Sequence, residues 1–157
     1  NLCRLLALSA GCHGMAGGQA IDLSSVGKLL TIDELHTMHR LKTGALLQAS
    51  VMMGAACGVS SRSALAGLQQ YGAAMGLAFQ VVDDILDVTA DTATLGKTAR
   101  KDADQQKPTF VSLLGLDKSR EYADKLLQQA LAALKNTGLQ NTHALQSLAY
   151  MVVNRTT

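Results

Sequence analysis

The feature that most constrains this chain is the segment Gly76–Asp87, which reads Gly-Leu-Ala-Phe-Gln-Val-Val-Asp-Asp-Ile-Leu-Asp. Wound as an α-helix, it puts Gln80, Asp83, Asp84 and Asp87 at i, i+3, i+4 and i+7, on one face. Leu77, Phe79, Val81, Val82, Ile85, Leu86 and Val88 supply apolar surface on the other sides, so the helix is expected to pack into a core. Any fold that contains it must compensate three carboxylates beside that surface, at a cost on the order of several kcal/mol for each uncompensated charge. No Lys or Arg occurs between Ser63 and Thr94, so the cation is expected from outside the helix. Hard divalent ions take oxygen ligands, and Mg²⁺ is usually held by one or two carboxylates together with water and phosphate oxygens. Asp83, Asp84 and Asp87 are therefore read as a Mg²⁺ site; the competing reading is a rim of solvated acids.

The rest of the chain favours helices throughout. Ala, Leu, Met and Gln are abundant and β-branched or aromatic runs are few; hydrophobic residues reach 48% against 17% charged, which suits one well-buried domain over residues 1–157 and excludes disorder. A net charge of +2 with only 3% aromatics offers neither the basic surface nor the stacking platforms of a nucleic-acid partner. No apolar run is long enough to span a membrane. Cys3, Cys12 and Cys57 form no Cys-x-x-Cys pair, which fits a reducing cytoplasm rather than a disulfide framework or a zinc site. The chain opens on Asn1 within a helical pattern, and an upstream portion is expected.

From Leu2 to Leu23 the glycines Gly11, Gly14, Gly17 and Gly18 imply close approach of another backbone or of a ligand. Gln19 and Asp22 at i, i+3 point into a cavity or close the helix. Thr31-Ile32-Asp33-Glu34 has the form of a capping box, and one long helix is expected from Ile32 to near Gly58. Midway along it Lys42-Thr43-Gly44 offers an ammonium and a hydroxyl to an anion, with a glycine that permits close approach. His36 and His39, also on this helix, are a metal pair or, more simply, satisfied surface histidines. The helix bearing the acidic stripe should start at Ser61 or Ser63 and end near Thr89. Ala90–Lys107 then forms a polar loop rich in Lys97, Arg100, Lys101 and Lys107, placed to fold over a phosphorylated ligand or simply solvated. Helices are expected from Pro108 to Leu114, from Lys118 to Asn136 with Gly138 beyond it, and from Thr142 to about Asn154.

Aspartates of metal type, a Lys-Thr pair one helix earlier and lysines directly after the stripe together suit a diphosphate bridged by Mg²⁺. The intervening Leu, Met, Ala and Gly surface suits an apolar tail. Charge neutralisation at a departing diphosphate favours ionisation of an allylic diphosphate.

The residues that carry this reading also resemble the trans-isoprenyl diphosphate synthases, most of all the bacterial farnesyl diphosphate synthases. The resemblance lies in Gly17-Gly18-Gln19-Ala20-Ile21-Asp22, Lys42-Thr43-Gly44-Ala45-Leu46, Gly76–Asp87, Leu95-Gly96-Lys97, Lys107-Pro108-Thr109-Phe110 and Leu113-Leu114-Gly115-Leu116. It implies an all-α isoprenoid synthase helical bundle, of which this chain is a C-terminal portion, a homodimer, and condensation of an allylic diphosphate with isopentenyl diphosphate. It further implies that Asp83, Asp84 and Asp87 form the second aspartate-rich motif, with Asp83 a direct Mg²⁺ ligand. Lys42, Thr43 and Lys97 would bind the allylic diphosphate, Phe79 and Gln80 would lie by the reacting double bonds, Lys107 would close over the site, and Arg155 would bind isopentenyl diphosphate. The released diphosphate would take the proton.

Departures from the family pattern matter too. Its first aspartate-rich motif has no counterpart before Asp83, so the chain alone is expected to be inert. Arg100 replaces a frequent glycine, and Phe110-Val111 replaces Tyr-Pro. Alternatives are a synthase of longer chains, a class I terpene cyclase, from which Asp-Asp-x-x-Asp departs, and a non-catalytic subunit.

Overall fold

A computed structural model describes residues 1–94 and 108–156, with side chains left aside at 90–94. Lys97, Arg100, Lys101 and Lys107, with the ligand-covering role read for them, lie outside the described residues. The described residues are helical with no strand, an all-α bundle as the sequence predicts.

Local capping chemistry sets most helix starts. α1 (Leu2–Ala10) and α2 (Met15–Ser24) are separated by a break at the first glycines. α3 (Ile32–His39) opens with the expected capping box: the Glu34 amide donates to Thr31 Oγ1 at 3.3 Å, and the Thr31 amide donates to Glu34 Oε2 at 2.8 Å. α4 (Ala45–Ala56) follows, and α5 (Arg62–Thr94) is begun by Ser61, whose hydroxyl accepts from the Ala64 amide at 3.1 Å. α5 runs past the expected end near Thr89, with no proline or glycine to stop it. α6 (Phe110–Leu114) has a reciprocal Thr109–Ser112 cap, and α7 (Leu116–Asn136) and α8 (His143–Val153) complete the order. Gly115 and Gly138, at φ +82° and +69°, provide the left-handed breaks after α6 and α7.

The long helix expected from Ile32 to Gly58 is not one continuous α-helix. Arg40–Gly44 forms a π turn between α3 and α4, and it carries the Lys42-Thr43 pair. The turn is closely packed: a Cβ on Gly18 of α2 would lie 2.1 Å from the Lys42 backbone nitrogen, and one on Gly76 of α5 would lie 2.6 Å from the Gly44 Cα. Two helices thus press directly on the widened turn, and such insertions in a helix are frequent at functional sites.

The core lies along α5. Its lower half packs Leu68, Tyr71 and Met75 against Leu127, Ala130 and Leu134 of α7 and Ala149 of α8. Tyr71 donates its hydroxyl to the Leu145 carbonyl at 2.8 Å, pinning α8. The upper half packs Ala78, Val81 and Val82 against Leu35 and Met38 of α3, Phe110 of α6 and Leu126 of α7. Burying each larger apolar side chain contributes on the order of 1.5–3 kcal/mol, and these contacts fix α5, which holds the acids.

Candidate functional site

The elements meet where the π turn crosses α5. Lys42 projects from the turn and pairs its ammonium with the Asp22 carboxylate of α2, so the residue that sequence spacing left between cavity and cap is the partner of Lys42. The next residue, Thr43, donates its hydroxyl to Gln80 Oε1 at 3.2 Å. Gln80 Nε2 donates to Asp84 Oδ1 at 3.2 Å, and Asp84 Oδ2 accepts from the Phe110 amide at 2.7 Å. One chain of hydrogen bonds therefore runs from the π turn, through α5, to the first residue of α6.

The three acids of the stripe do not behave alike. Asp84 is 5% exposed and lies among apolar side chains. Burial pushes its carboxyl up to about 6, despite the opposing Phe110 and Gln80 hydrogen bonds. Asp83, whose side chain is 46% exposed, receives Arg155 Nη2 at 2.7 Å. Asp87 is exposed on the same helix. The three acids read together as one Mg²⁺ site, with Asp83 its direct ligand, thus divide into one inward and two outward carboxylates. Among the described residues, no three His, Cys, Asp or Glu side chains are grouped to hold a metal by themselves.

Arg155 lies at the other end of the chain and yet inside the site. It donates to the Phe79 carbonyl at 2.9 Å, and its guanidinium sits 4.1 Å from the Phe79 ring centroid. The structure thus joins Phe79, Asp83 and Arg155, a grouping that spacing alone did not reveal.

His36 is hydrogen-bonded and partly exposed, in keeping with a satisfied histidine, whereas His39 fits neither expected reading. His36 Nε2 and the Tyr122 hydroxyl are 3.0 Å apart, with the two rings stacked at 5.5 Å. His39 is buried against the Phe110 ring at 5.5 Å, and neither of its ring nitrogens has a hydrogen-bond partner among the described residues. Burial holds its imidazole down to about 4, with the nearby Lys42 charge adding to the effect, so it is neutral. His39 is therefore neither a surface nor a satisfied histidine; both rings clasp Phe110. A separate cleft of about 740 Å³ lies between α3, α5 and α7, lined by Asp33, Arg40, Leu77 and Gln129 among others. It holds none of the acids of the stripe.

Several of these partners were hidden from spacing: Asp22, the Phe110 amide, Tyr122 and the Arg155–Asp83 pair all join residues distant in sequence. Only the Gln19/Asp22 spacing beside the glycines carried a hint.

The family model for polyprenyl synthetase matches residues 4–148. The farnesyl diphosphate synthase of Escherichia coli is 48% identical over 155 residues, which cover 96% of this chain and 51% of that protein. Among solved structures, the geranyltransferase of Helicobacter pylori complexed with magnesium and isoprenyl diphosphate matches with a TM-score of 0.75 at 36% identity, covering 97% of this chain and 49% of the other. An FPP/GFPP synthase from Zymomonas mobilis matches with a TM-score of 0.79 at 34% identity, covering 97% and 49%. The chain spans about half the length of the curated relatives it matches. On this extent of match to the family model, the chain belongs to the polyprenyl synthetase family.

Proposed function

We propose that this chain supplies one wall of a Mg²⁺-dependent trans-prenyltransferase of the farnesyl diphosphate synthase type, joining an allylic diphosphate to isopentenyl diphosphate. The observation that carries the reading is the 3.2 Å bond from Thr43 to Gln80, which brings the Lys-Thr turn beside the acidic helix. The hydroxyl of Thr43 thus meets the helix that carries the outward carboxylates, while the ammonium beside it on the turn pairs with Asp22. The likeness to farnesyl diphosphate synthases, and to a geranyltransferase complexed with magnesium and isoprenyl diphosphate, supports it.

Mg²⁺ fits the donors in part. Asp83 and Asp87 are hard oxygen donors on the open face of α5, and Asp83 already attracts a guanidinium; a site with two protein carboxylates is normal for Mg²⁺ when substrate phosphates complete it. Bound there, the ion would supply charge neutralisation at the departing diphosphate. The chain's own residues do the rest. The Lys42 ammonium, whose side chain is 34% exposed beside Asp22, attracts the allylic diphosphate and offsets charge as the carbon–oxygen bond breaks. Phe79 and Gln80 flank the reacting carbons, and Arg155 draws the second diphosphate. A carbon–carbon bond forms as the allylic bond electrons leave with diphosphate, which then accepts the proton lost from the isopentenyl carbon. Lys97 and Lys107, outside the described residues, keep the diphosphate-binding role that the family resemblance implies for them. The working protein is read as a cytoplasmic homodimer, with a further acidic motif supplied from outside these residues.

The test is incorporation of labelled isopentenyl diphosphate with geranyl diphosphate, carried out at the full length of the relatives. Farnesyl diphosphate is expected, with a loss of roughly 10²-fold or more in Asp83→Asn, and no product from the 157-residue chain by itself. Absence of any Mg²⁺-dependent diphosphate release from the full-length protein overturns the reading.

A further inference from the structure

We propose that Asp84 is a positioning residue rather than a metal ligand: it sets the polarity of the Gln80 amide, and through it the direction in which Thr43 holds its proton. What the oriented groups act on rests on the prenyl-transfer reading above; the arrangement itself does not.

Both oxygens of Asp84 are engaged by the protein, Oδ1 by Gln80 Nε2 at 3.2 Å and Oδ2 by the Phe110 amide at 2.7 Å. The residue is 5% exposed, and Phe110 is fully buried beneath His36, His39 and Tyr122. Its neighbour Asp83 turns the other way, to Arg155 and partial exposure. A carboxylate only accepts hydrogen bonds, so Gln80 must turn its nitrogen to Asp84 and its oxygen to Thr43. Thr43 then gives its proton to Gln80 and offers only lone pairs to a neighbouring ligand. In that state Thr43 cannot donate to a diphosphate oxygen, so its place in the anion site passes to Lys42; the hydroxyl instead suits an electron-poor carbon. The Phe110 amide holds Asp84 in place, so the start of α6 helps fix this orientation from the far side of α5.

Replacement of Asp84 by Asn keeps an acceptor for Phe110 but turns an amide nitrogen to Gln80, which inverts to present its own nitrogen to Thr43. Adding Gln80→Glu restores an oxygen facing Thr43. At the full length of the relatives, Asp84→Asn is expected to lower kcat roughly 10–100-fold, as losses of outer-shell orienting groups do, while the half-saturating Mg²⁺ concentration stays within about 2-fold. The double variant Asp84→Asn/Gln80→Glu should recover about 5-fold or more of the lost kcat. A half-saturating Mg²⁺ concentration raised roughly 10-fold, with kcat restored at excess Mg²⁺, would make Asp84 a ligand and overturn the proposal, as would a double variant no better than the single one. If Asp84→Asn does not fold, nuclear Overhauser contacts of the Gln80 side-chain amide protons in the unaltered metal-free protein take its place: contacts to Asp84 support the proposal, and contacts to Thr43 instead overturn it. Side-chain amide NMR of Gln80 in metal-free protein is independent of turnover. Displaced resonances in Asp84→Asn, with Phe110 amide exchange still slow, are expected; unmoved resonances overturn the assignment. If the unaltered protein makes no product, the functional reading fails and these resonances still decide the polarity.

Discussion

The two flanks of α5 differ in how they use apolar residues. On one, α7 and α8 bury Leu126, Leu127, Leu134 and Ala149 almost completely. On the other, α4 buries only Ala49, and α1, which packs on α4, buries none of its residues, although both are rich in Leu and Ala; Leu2, Leu6 and Leu8 remain more than two-fifths exposed. The difference teaches that composition does not locate a core. Apolar content says that a helix can be covered; the period of its apolar residues and the partner it meets decide whether it is. The site lies on the seam between the flanks, with Gln80 and Asp84 rooted toward the closed side and Lys42 carried on the turn that leads into α4.

The contrast can be broken by substitution. The largest expected effect is Phe110→Ala on the closed side, which removes a fully buried ring and loosens the clasp around Asp84. It should cost about 3–5 kcal/mol, read as a lower urea midpoint at unchanged slope.

Acid titration should sharpen the contrast next. The folded-state value of Asp84 is raised from the ordinary 3.8 to about 6, so its contribution is full at low pH and is lost as pH rises from about 4 to 6. The folded-state value of His39 is depressed from 6.5 to about 4, so its contribution is present above 6.5 and is lost as pH falls toward 4. Each is worth up to about 3 kcal/mol, and the two oppose each other across one window. The parent protein should show a nearly flat unfolding free energy between those limits. Asp84→Asn should lose stability toward acid, and His39→Phe should gain it; a flat profile in both variants would refute the opposition.

A smaller loss, about 1–3 kcal/mol, is expected for Gly76→Ala at the seam, where the new methyl meets the Gly44 backbone. The smallest belongs to the open side: Leu6→Ala, at a residue 49% exposed, should shift stability by about 0.5 kcal/mol or less. A shift comparable to that of Phe110→Ala would mean that α1 is covered in solution.

Those two flanks also separate what could be read in advance from what could not. The cap at Thr31, the break at Gly138 and the helical character of Gly76–Asp87 rest on neighbours within about one turn, and periodicity exposes such features. The π turn at Arg40–Gly44 was not legible, and the glycines that pack against it, Gly18 and Gly76, belong to two other helices. Asp84 shares a stripe with Asp83 and Asp87 by spacing, but the amide that draws it inward belongs to Phe110, 26 residues later. His39 looked like a surface residue for the same reason: the ring that covers it comes from α6. Lys42 and Thr43 were found as a pair from their chemistry, while their fixed partners Asp22 and Gln80 required the fold.

The bare contact between Gly44 and Gly76 works as a keyway. A single inserted residue between Gly76 and Gln80 would rotate everything beyond it by about 100° around the axis, carrying Gln80 away from Thr43 even if every side chain were retained. Exchange of residues at constant length keeps the register of Gly76, Gln80 and Asp87, and a change of length between Gly76 and Gln80 is expected to break it.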